Sequence, residues 1–339
     1  MLERYSRQTL FSPIGKSGQE RLLASSVAII GCGALGTFLA NNLCRAGVGK
    51  LTIADRDFIE LNNLQRQILF DEKDVAQRLP KAVAAEQKLR QVNSDTRITA
   101  VVEDINAESI EALVQDHDLI LDATDNFEIR YILNDACVKH QKPWIYSGVI
   151  ASYGVTMNIL PGDTPCLRCV FPEQPRPGST PTCDTAGVLN GIVSVITGIA
   201  STEALKILLK SDRVNRSMQW LDLWENTSER IELPRQPDCP TCGQHHYDFL
   251  EASLDENSSA SLCGRNAVQV RSGKRENRLN LDELAERLRP VGRVASNEYL
   301  VRFNVNDYEF TIFPDARAII KGTDDPQVAR TLYARYIGM

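Results

Sequence analysis

Two C-x-x-C pairs, Cys166-Leu-Arg-Cys169 and Cys239-Pro-Thr-Cys242, share one chain with a Gly31-Cys-Gly33-Ala-Leu-Gly36 loop. Four thiolates at this spacing are the ligand set of tetrahedral Zn²⁺, and a closed four-sulfur shell leaves no position for a reacting water. The expected site is therefore structural, with redox-active pairs as the alternative. His245 and His246 follow the second pair and read as surface residues, because the four cysteines already complete the shell. In the loop, Gly31, Gly33 and Gly36 let backbone N–H groups approach phosphate oxygens, with a helix N-terminus behind them. A glycine turn that only packs a helix on a sheet is the plain alternative.

Such a loop carries weight only in context. Ser26-Val-Ala-Ile-Ile30 is a short, continuously apolar run feeding it, as expected of a strand buried on both faces of a parallel sheet. Asp55 ends the next extended run, 19 residues after Gly36, where a carboxylate can accept from ribose hydroxyls. Lys81 follows Pro80 at the start of an Ala-rich helix, the unfavourable end for a cation unless it neutralises an anion there. A solvated lysine beside a proline start is the other reading. Asp122 and Asp125, in Asp118-Leu-Ile-Leu-Asp122-Ala-Thr-Asp125-Asn126, fall at the C-terminal end of another strand, where open α/β sheets bind ligands. Asp125 is the candidate Mg²⁺ carboxylate, while Asp122 reads equally well as a cap of the loop backbone. Two cations, Arg66 and Lys81, with a magnesium carboxylate and a glycine loop, suit attack on an α-phosphate with pyrophosphate leaving. An NAD(P)-dependent oxidoreductase is a rival from another class, but the cations and the cysteine pairs have no task in it. A zinc-stabilised binding protein without catalysis is a third reading, opposed by the intact Arg66, Lys81 and Asp125.

These residues need alternating strands and helices to hold them. Helices are expected over 34–45, 80–92, 107–114 and 127–140, with extended runs at 50–55, 97–102, 118–122 and 144–147. That alternation predicts an α/β fold, a doubly wound Rossmann-like, mostly parallel sheet with a split four-cysteine zinc site. Beyond Gly148 the pattern changes, with a strand at 153–160, a long helix from Gly191 to Leu209 and strands near 218–224 and 228–233. Residues 171–182 are Pro-rich and read as a mobile crossover loop. The expected domains are a nucleotide-binding, zinc-containing domain over 1–250, a polar Ser-rich linker over 251–262, and a small C-terminal α+β module over 263–339.

The 339 residues are 43% hydrophobic and 24% charged, ordinary globular composition. A net charge of −6 opposes general binding to nucleic acid or to an anionic membrane. The N-terminus lacks the apolar core of a signal peptide, and polar residues interrupt the long helix, so no membrane span is expected. Nine cysteines including two C-x-x-C pairs suit a reducing cytoplasm.

Arg4-Tyr-Ser-Arg7-Gln8, the glycine loop, Asp55-Arg-Asp57, Asn63-Leu-Gln-Arg66-Gln67, Lys81, Asp122-Ala-Thr-Asp125-Asn126 and the cysteine pairs follow one another in a familiar order. Over residues 1–245 the chain resembles the bacterial adenylyltransferases that activate sulfur-carrier proteins (the ThiF/MoeB/HesA type), relatives of the ubiquitin-activating enzymes. The resemblance implies an ATP-dependent attack by the C-terminal carboxylate of a small carrier ending in Gly-Gly. By position it implies that Asp55 binds ribose, that Asn63, Arg66 and Lys81 contact phosphates, and that Asp125 binds Mg²⁺. It implies further that Arg7 reaches in from the partner of a homodimer, and that a desulfurase- or rhodanese-type sulfur donor acts later. Ala34 departs from the pattern, since many members carry a further glycine there. Cys183, after the Pro-rich loop, matches a reactive cysteine that could take the carrier as a thioester or acyl-persulfide; a free cysteine not needed for adenylation is the alternative. Within the family the likeness is greatest to the longer thiazole (thiamine) biosynthesis type, with the molybdopterin-synthase type next.

Overall fold

A computed structural model describes residues 2–175, 182–252, 259–262, 266–270 and 279–338. It divides into two compact units, Met1–Ala252 and Ser253–Met339. The strands of the first unit are β1 (Ser26–Ile30), β2 (Lys50–Ala54), β3 (Arg97–Val101), β4 (Leu119–Asp122), β5 (Trp144–Ile150), β6 (Tyr153–Ile159), β7 (Met218–Asp222) and β8 (Thr227–Ile231). They form one sheet in the order β3-β2-β1-β4-β5-β6-β7-β8. Pairings from β3 across to β5 are parallel, and those from β5 to β8 antiparallel.

The continuous apolar run of β1 is explained by a core on each face. Val27 and Ile29 join one cluster, with side chains of the helices Ala34–Ala46, Lys81–Val92 and Asn190–Leu208. Ala28 and Ile30 join the other, with the helices Ala107–Gln115 and Phe127–Lys139. A strand covered on both sides cannot alternate polar with apolar residues. Truncating a fully buried member such as Leu39 to alanine costs about 2–5 kcal/mol. Because β2 and β4 flank β1 on opposite sides, the chain reverses its winding there, and the loop after β1 opens at the switch point.

Among the described residues, Asn190–Leu208 is the one helix long and apolar enough to cross a membrane by length and composition. Its Ile192, Val193, Ile196, Ala200 and Ala204 are instead buried in the core, against Ala34–Ala46 and strands β5 and β6. The N-terminal helix Gly15–Ala24 was not expected: it has few apolar residues and begins at a glycine with φ +56°, so no strong periodicity announces it.

The second unit is a six-stranded antiparallel sheet built from β9 (Ser259–Leu262), β10 (Ala267–Val270), β11 (Arg293–Ser296), β12 (Val301–Val305), β13 (Tyr308–Ile312) and β14 (Ala318–Lys321). Its order is β11-β12-β13-β14-β10-β9. The helices Leu281–Leu288 and Pro326–Tyr336 pack on it over a core that includes Phe303, Phe310, Ile312 and Ile320. β13 and β14 form an antiparallel hairpin that turns around Pro314-Asp315. The stretch read as a linker contains β9, a strand made by its pairing with β10 rather than by its polar composition. Half of the Pro-rich segment, 176–181, and Cys263 lie outside the described residues.

Candidate nucleotide site and four-cysteine cluster

The three loop glycines do different work. Gly31 has φ +95°, and a Cβ there would sit 2.6 Å from the Ala123 carbonyl oxygen. A Cβ on Gly36 would collide with the Gly31 carbonyl. A Cβ on Gly33 would meet only the Gln67 Nε2, at 3.9 Å. Packing therefore demands glycine at 31 and 36, whereas Gly33 borders open space. Gly33 also caps the helix Ala34–Ala46 without a side-chain hydrogen bond, so the first N–H groups of that helix face the same space. Ala34 enters as its first residue, and the methyl that departs from the family pattern is accommodated there.

Asp55 follows β2 and is tied to the loop: its Oδ2 accepts from the Cys32 N–H at 2.6 Å and its Oδ1 from the Asp57 N–H at 2.7 Å. Burial raises its pKa, and Lys81 pulls it back down. Lys81 begins the helix Lys81–Val92 and is 7% exposed. Its N–H donates to the Asp57 carbonyl at 2.9 Å and its Nζ to Asp57 Oδ2 at 3.2 Å. Burial lowers the lysine pKa, but Asp57, Asp55 and Asp125 together outweigh it and hold the group above the usual lysine range. A cation at the wrong end of a helix is thus stabilised by three carboxylates.

Asn63 closes the short helical turn Leu61–Asn63, and its Oδ1 accepts from the Glu60 N–H at 3.1 Å. It is buried, and much of its carboxamide is spent on that turn. Arg66 is half-buried, with Nη1 donating to the Asn62 carbonyl at 2.8 Å. Gln67, beside Gly33, is 3% exposed, and its Oε1 has no hydrogen-bond partner among the described residues. An orphaned buried acceptor carries a free-energy penalty of about 1–3 kcal/mol, so it marks a place where a donor fits.

Asp122 is fully buried against Arg130, whose Nε lies 2.9 Å from its Oδ2. Its Oδ1 accepts from the N–H and the hydroxyl of Thr124. Arg130 also donates to the Thr124 carbonyl at 2.6 Å and stacks over Phe127 and Tyr146. Asp122 is thus a structural anchor of the 123–126 loop, one of its two sequence-based readings. Asp125, on that loop, is exposed and has no side-chain partner among the described residues. Neither Asp57 nor Arg130 was assigned a role from sequence, although Asp57 stands within a noted motif and Arg130 lies four residues after Asn126.

The N-terminal motif is partly consumed by anchoring. Arg4 donates to the Val92 carbonyl, Tyr5 is buried with its hydroxyl accepting from Asn93, and Gln8 donates to the Ala46 carbonyl. Arg7 stands exposed on the helix Ser6–Thr9, outside the Asp55–Lys81 cluster.

The four cysteines come together as one group, with all sulfurs within 4.8 Å of one another. Cys166–Cys239, Cys169–Cys242 and Cys166–Cys169 are 3.5, 3.4 and 3.9 Å apart. Tetrahedral Zn–S bonds of 2.3 Å place sulfurs about 3.8 Å apart, so the donors and their spacing fit zinc. Gly243 permits the tight second knuckle, since a Cβ would collide with the Pro237 carbonyl. Three of the four are buried, and Cys32, Cys44 and Cys137 are buried elsewhere, with burial raising their thiol pKa values. Cys183 begins the short helix Cys183–Ala186; its side chain lies outside the description.

The ThiF family profile matches residues 5–241. The sulfur carrier protein ThiS adenylyltransferase of Bacillus subtilis (strain 168) is 44% identical over 341 aligned residues, covering 100% of both chains. The protein of the same name from Escherichia coli (strain K12) is 37% identical over 246 residues, 72% of this chain and 96% of that one. Among solved structures, E. coli MccB with MccA-N7isoASN superposes with a TM-score of 0.62 at 24% identity, covering 72% of this chain and 75% of that one, and supports the fold. This chain belongs to the ThiF family.

Proposed function

We propose that this ThiF-family chain adenylylates the C-terminal glycine carboxylate of a small ubiquitin-like sulfur carrier, of the type used for the thiazole of thiamine. A carrier carboxylate oxygen bonds to the α-phosphorus of ATP, and the bridging oxygen to the β-phosphate leaves with its electron pair as pyrophosphate. No proton needs to move, so the chain contributes position and charge. Gly33 and the uncapped N–H groups behind it receive phosphate oxygens, and Asp55 receives the ribose. Lys81 and Arg66 face the charge that develops on the phosphoryl oxygens. Asn63 holds the turn that aims Arg66 and offers the remainder of its carboxamide to the phosphates. Asp125 holds Mg²⁺, which when bound neutralises phosphate charge.

The observation that carries this reading is the pairing of Gly33 with Gln67: a glycine that packing does not require beside a buried acceptor that lacks a donor among the described residues. Zn²⁺ in the four-cysteine cluster is structural in this reading. Arg7 is supplied across a homodimer, Cys183 takes the activated carrier, and a desulfurase- or rhodanese-type donor provides sulfur. The protein works in the cytoplasm. The test is ATP–pyrophosphate exchange with a thiamine-type and a molybdopterin-type carrier, each ending in Gly-Gly. Exchange dependent on carrier, Lys81 and Asp125 supports the assignment. Exchange with the molybdopterin-type carrier alone would move the chain to the other pathway, and nicotinamide-dependent turnover without exchange would end the adenylation reading.

A further inference from the structure

One helix, Phe127–Lys139, links the Asp125 loop, the start of the Pro-rich segment and both cysteine knuckles. At its start stands the Asp125-Asn126 loop, with Asn126 Oδ1 capping the helix through the Glu128 N–H at 2.9 Å. One turn on, Arg130 grips Asp122 and the Thr124 carbonyl. Beside it the buried Tyr131 hydroxyl lies 2.8 Å from the carbonyls of both Phe171 and Glu173, where the Pro-rich segment begins. Next come two buried polar residues. Asn134 Oδ1 accepts from the Leu167 N–H at 2.9 Å, immediately after Cys166. Asp135 Oδ1 accepts from the Thr241 hydroxyl at 2.8 Å, between Cys239 and Cys242, and its Oδ2 from the Phe249 N–H at 3.0 Å. Asn134, Asp135 and Thr241 are all fully buried.

Polar groups in a core are held at a cost unless fully bonded; Asn134 Nδ2 has no partner among the described residues, yet these bonds span 33 and 106 residues of sequence. What they do is bolt each knuckle of the four-cysteine cluster to a single rigid rod. Arg130 and Asp135 are five residues apart, about 7.5 Å along the axis, so displacement at one end is carried to the other.

We propose that Asn134 and Asp135 are positioning residues: through them the metal-closed four-cysteine cluster sets the helix Phe127–Lys139, and with it the Asp125 loop and the start of the segment after Phe171. The consequence for catalysis rests on the adenylation reading; the mechanical coupling does not. Closing the four thiolates around Zn²⁺ fixes Leu167 and Thr241, these fix the helix, and Arg130 transmits its position to the strand end that carries Asp125. The cluster therefore tunes the magnesium carboxylate without touching nucleotide.

The test uses the full-length, zinc-loaded protein without nucleotide. Thr241→Val removes the hydroxyl and keeps the β-branched shape, Thr241→Ser restores the donor, and Asn134→Ala cuts the other bolt. Thr241→Val and Asn134→Ala should exchange amide hydrogens at 123–130 and 171–175 faster, and release zinc to a chromophoric chelator about tenfold faster. Thr241→Ser should match wild type in both. Unchanged exchange at 123–130 with zinc still bound would overturn the coupling, as would a serine variant no better than valine. Should Thr241→Val fail to fold, Asn134→Ala and the chelator-stripped wild type give the same readout at the same amides. Pyrophosphate exchange by the wild type tests the adenylation reading separately, so either idea can fail alone.

Discussion

Lys81 is tied twice to Asp57, once through its backbone N–H and once through its ammonium. The double tie fixes a buried cation at the mouth of the sheet, on the same side as Gly33, with Asp55 and Asp125 adding to its field. A lysine held this way is charged throughout the range in which enzymes work, and its role is electrostatic.

Lys81→Ala should lower kcat for pyrophosphate exchange by about 10²–10³-fold, the cost of removing one preorganised group facing a developing oxyanion. Asp57→Asn should be milder, because the backbone tie and the other carboxylates remain. If both variants exchange at the wild-type rate, Lys81 is an ordinary buried lysine.

The glycines separate stability from binding. Gly36→Ala should destabilise the fold by several kcal/mol, since its methyl meets backbone that cannot yield. Gly33→Ala should leave Tm within a few degrees of wild type and weaken ATP binding about tenfold or more, read by calorimetric titration. Equal effects on stability at both positions would contradict the division of labour.

Burial lowers the pKa of His117 below the ordinary value of 6.5. Its Nε2 is 2.8 Å from the Thr52 hydroxyl and its Nδ1 2.7 Å from the Leu113 carbonyl. The folded state binds a proton there less readily than the unfolded chain, so the neutral ring's contribution is complete above 6.5 and is lost as pH falls through the folded pKa. His117→Gln should therefore show a shallower decline of Tm between neutral and mildly acidic pH than wild type. Parallel melting curves across that range would show that His117 does not report on folding.

Mixing subunits tests where Arg7 acts. In the proposed dimer, Arg7→Ala and Lys81→Ala are each inactive, but random mixing gives half the dimers one intact site of two. About a quarter of wild-type activity should return. Recovery of nothing, with dimers confirmed by light scattering, would place Arg7 in its own subunit's site, and full activity of Arg7→Ala alone would place it outside catalysis.

The glycine loop, the strand ends and the cysteine pairs were legible because short spacings encode them, and the uninterrupted apolar run of β1 announced a sheet covered on both faces. Asp57 was legible as part of a motif but not as Lys81's partner, because that contact depends on Phe58 bridging to Pro80 across 22 residues of sequence. Arg130 looked like any helical arginine; only the burial of Asp122 gives it a task. β9 was hidden for a related reason, since a polar, serine-rich strand exists through its neighbour's hydrogen bonds. Asn63 shows the converse: a residue read for phosphate contact spends much of its amide on its own turn.

Cys166 and Cys239 stand 73 residues apart, and the helix that receives both knuckles is complete before either pair. During synthesis the glycine loop, Lys81 and Asp125 thus leave the ribosome ahead of the last two thiolates. A nascent chain shorter than 239 residues can offer zinc only half its ligands, and the rod behind Asp125 then has one bolt instead of two. Metal capture by the cluster would then be a late, chain-length-gated step, and zinc starvation should leave molecules with a formed glycine loop but a loosened helix behind Asp125.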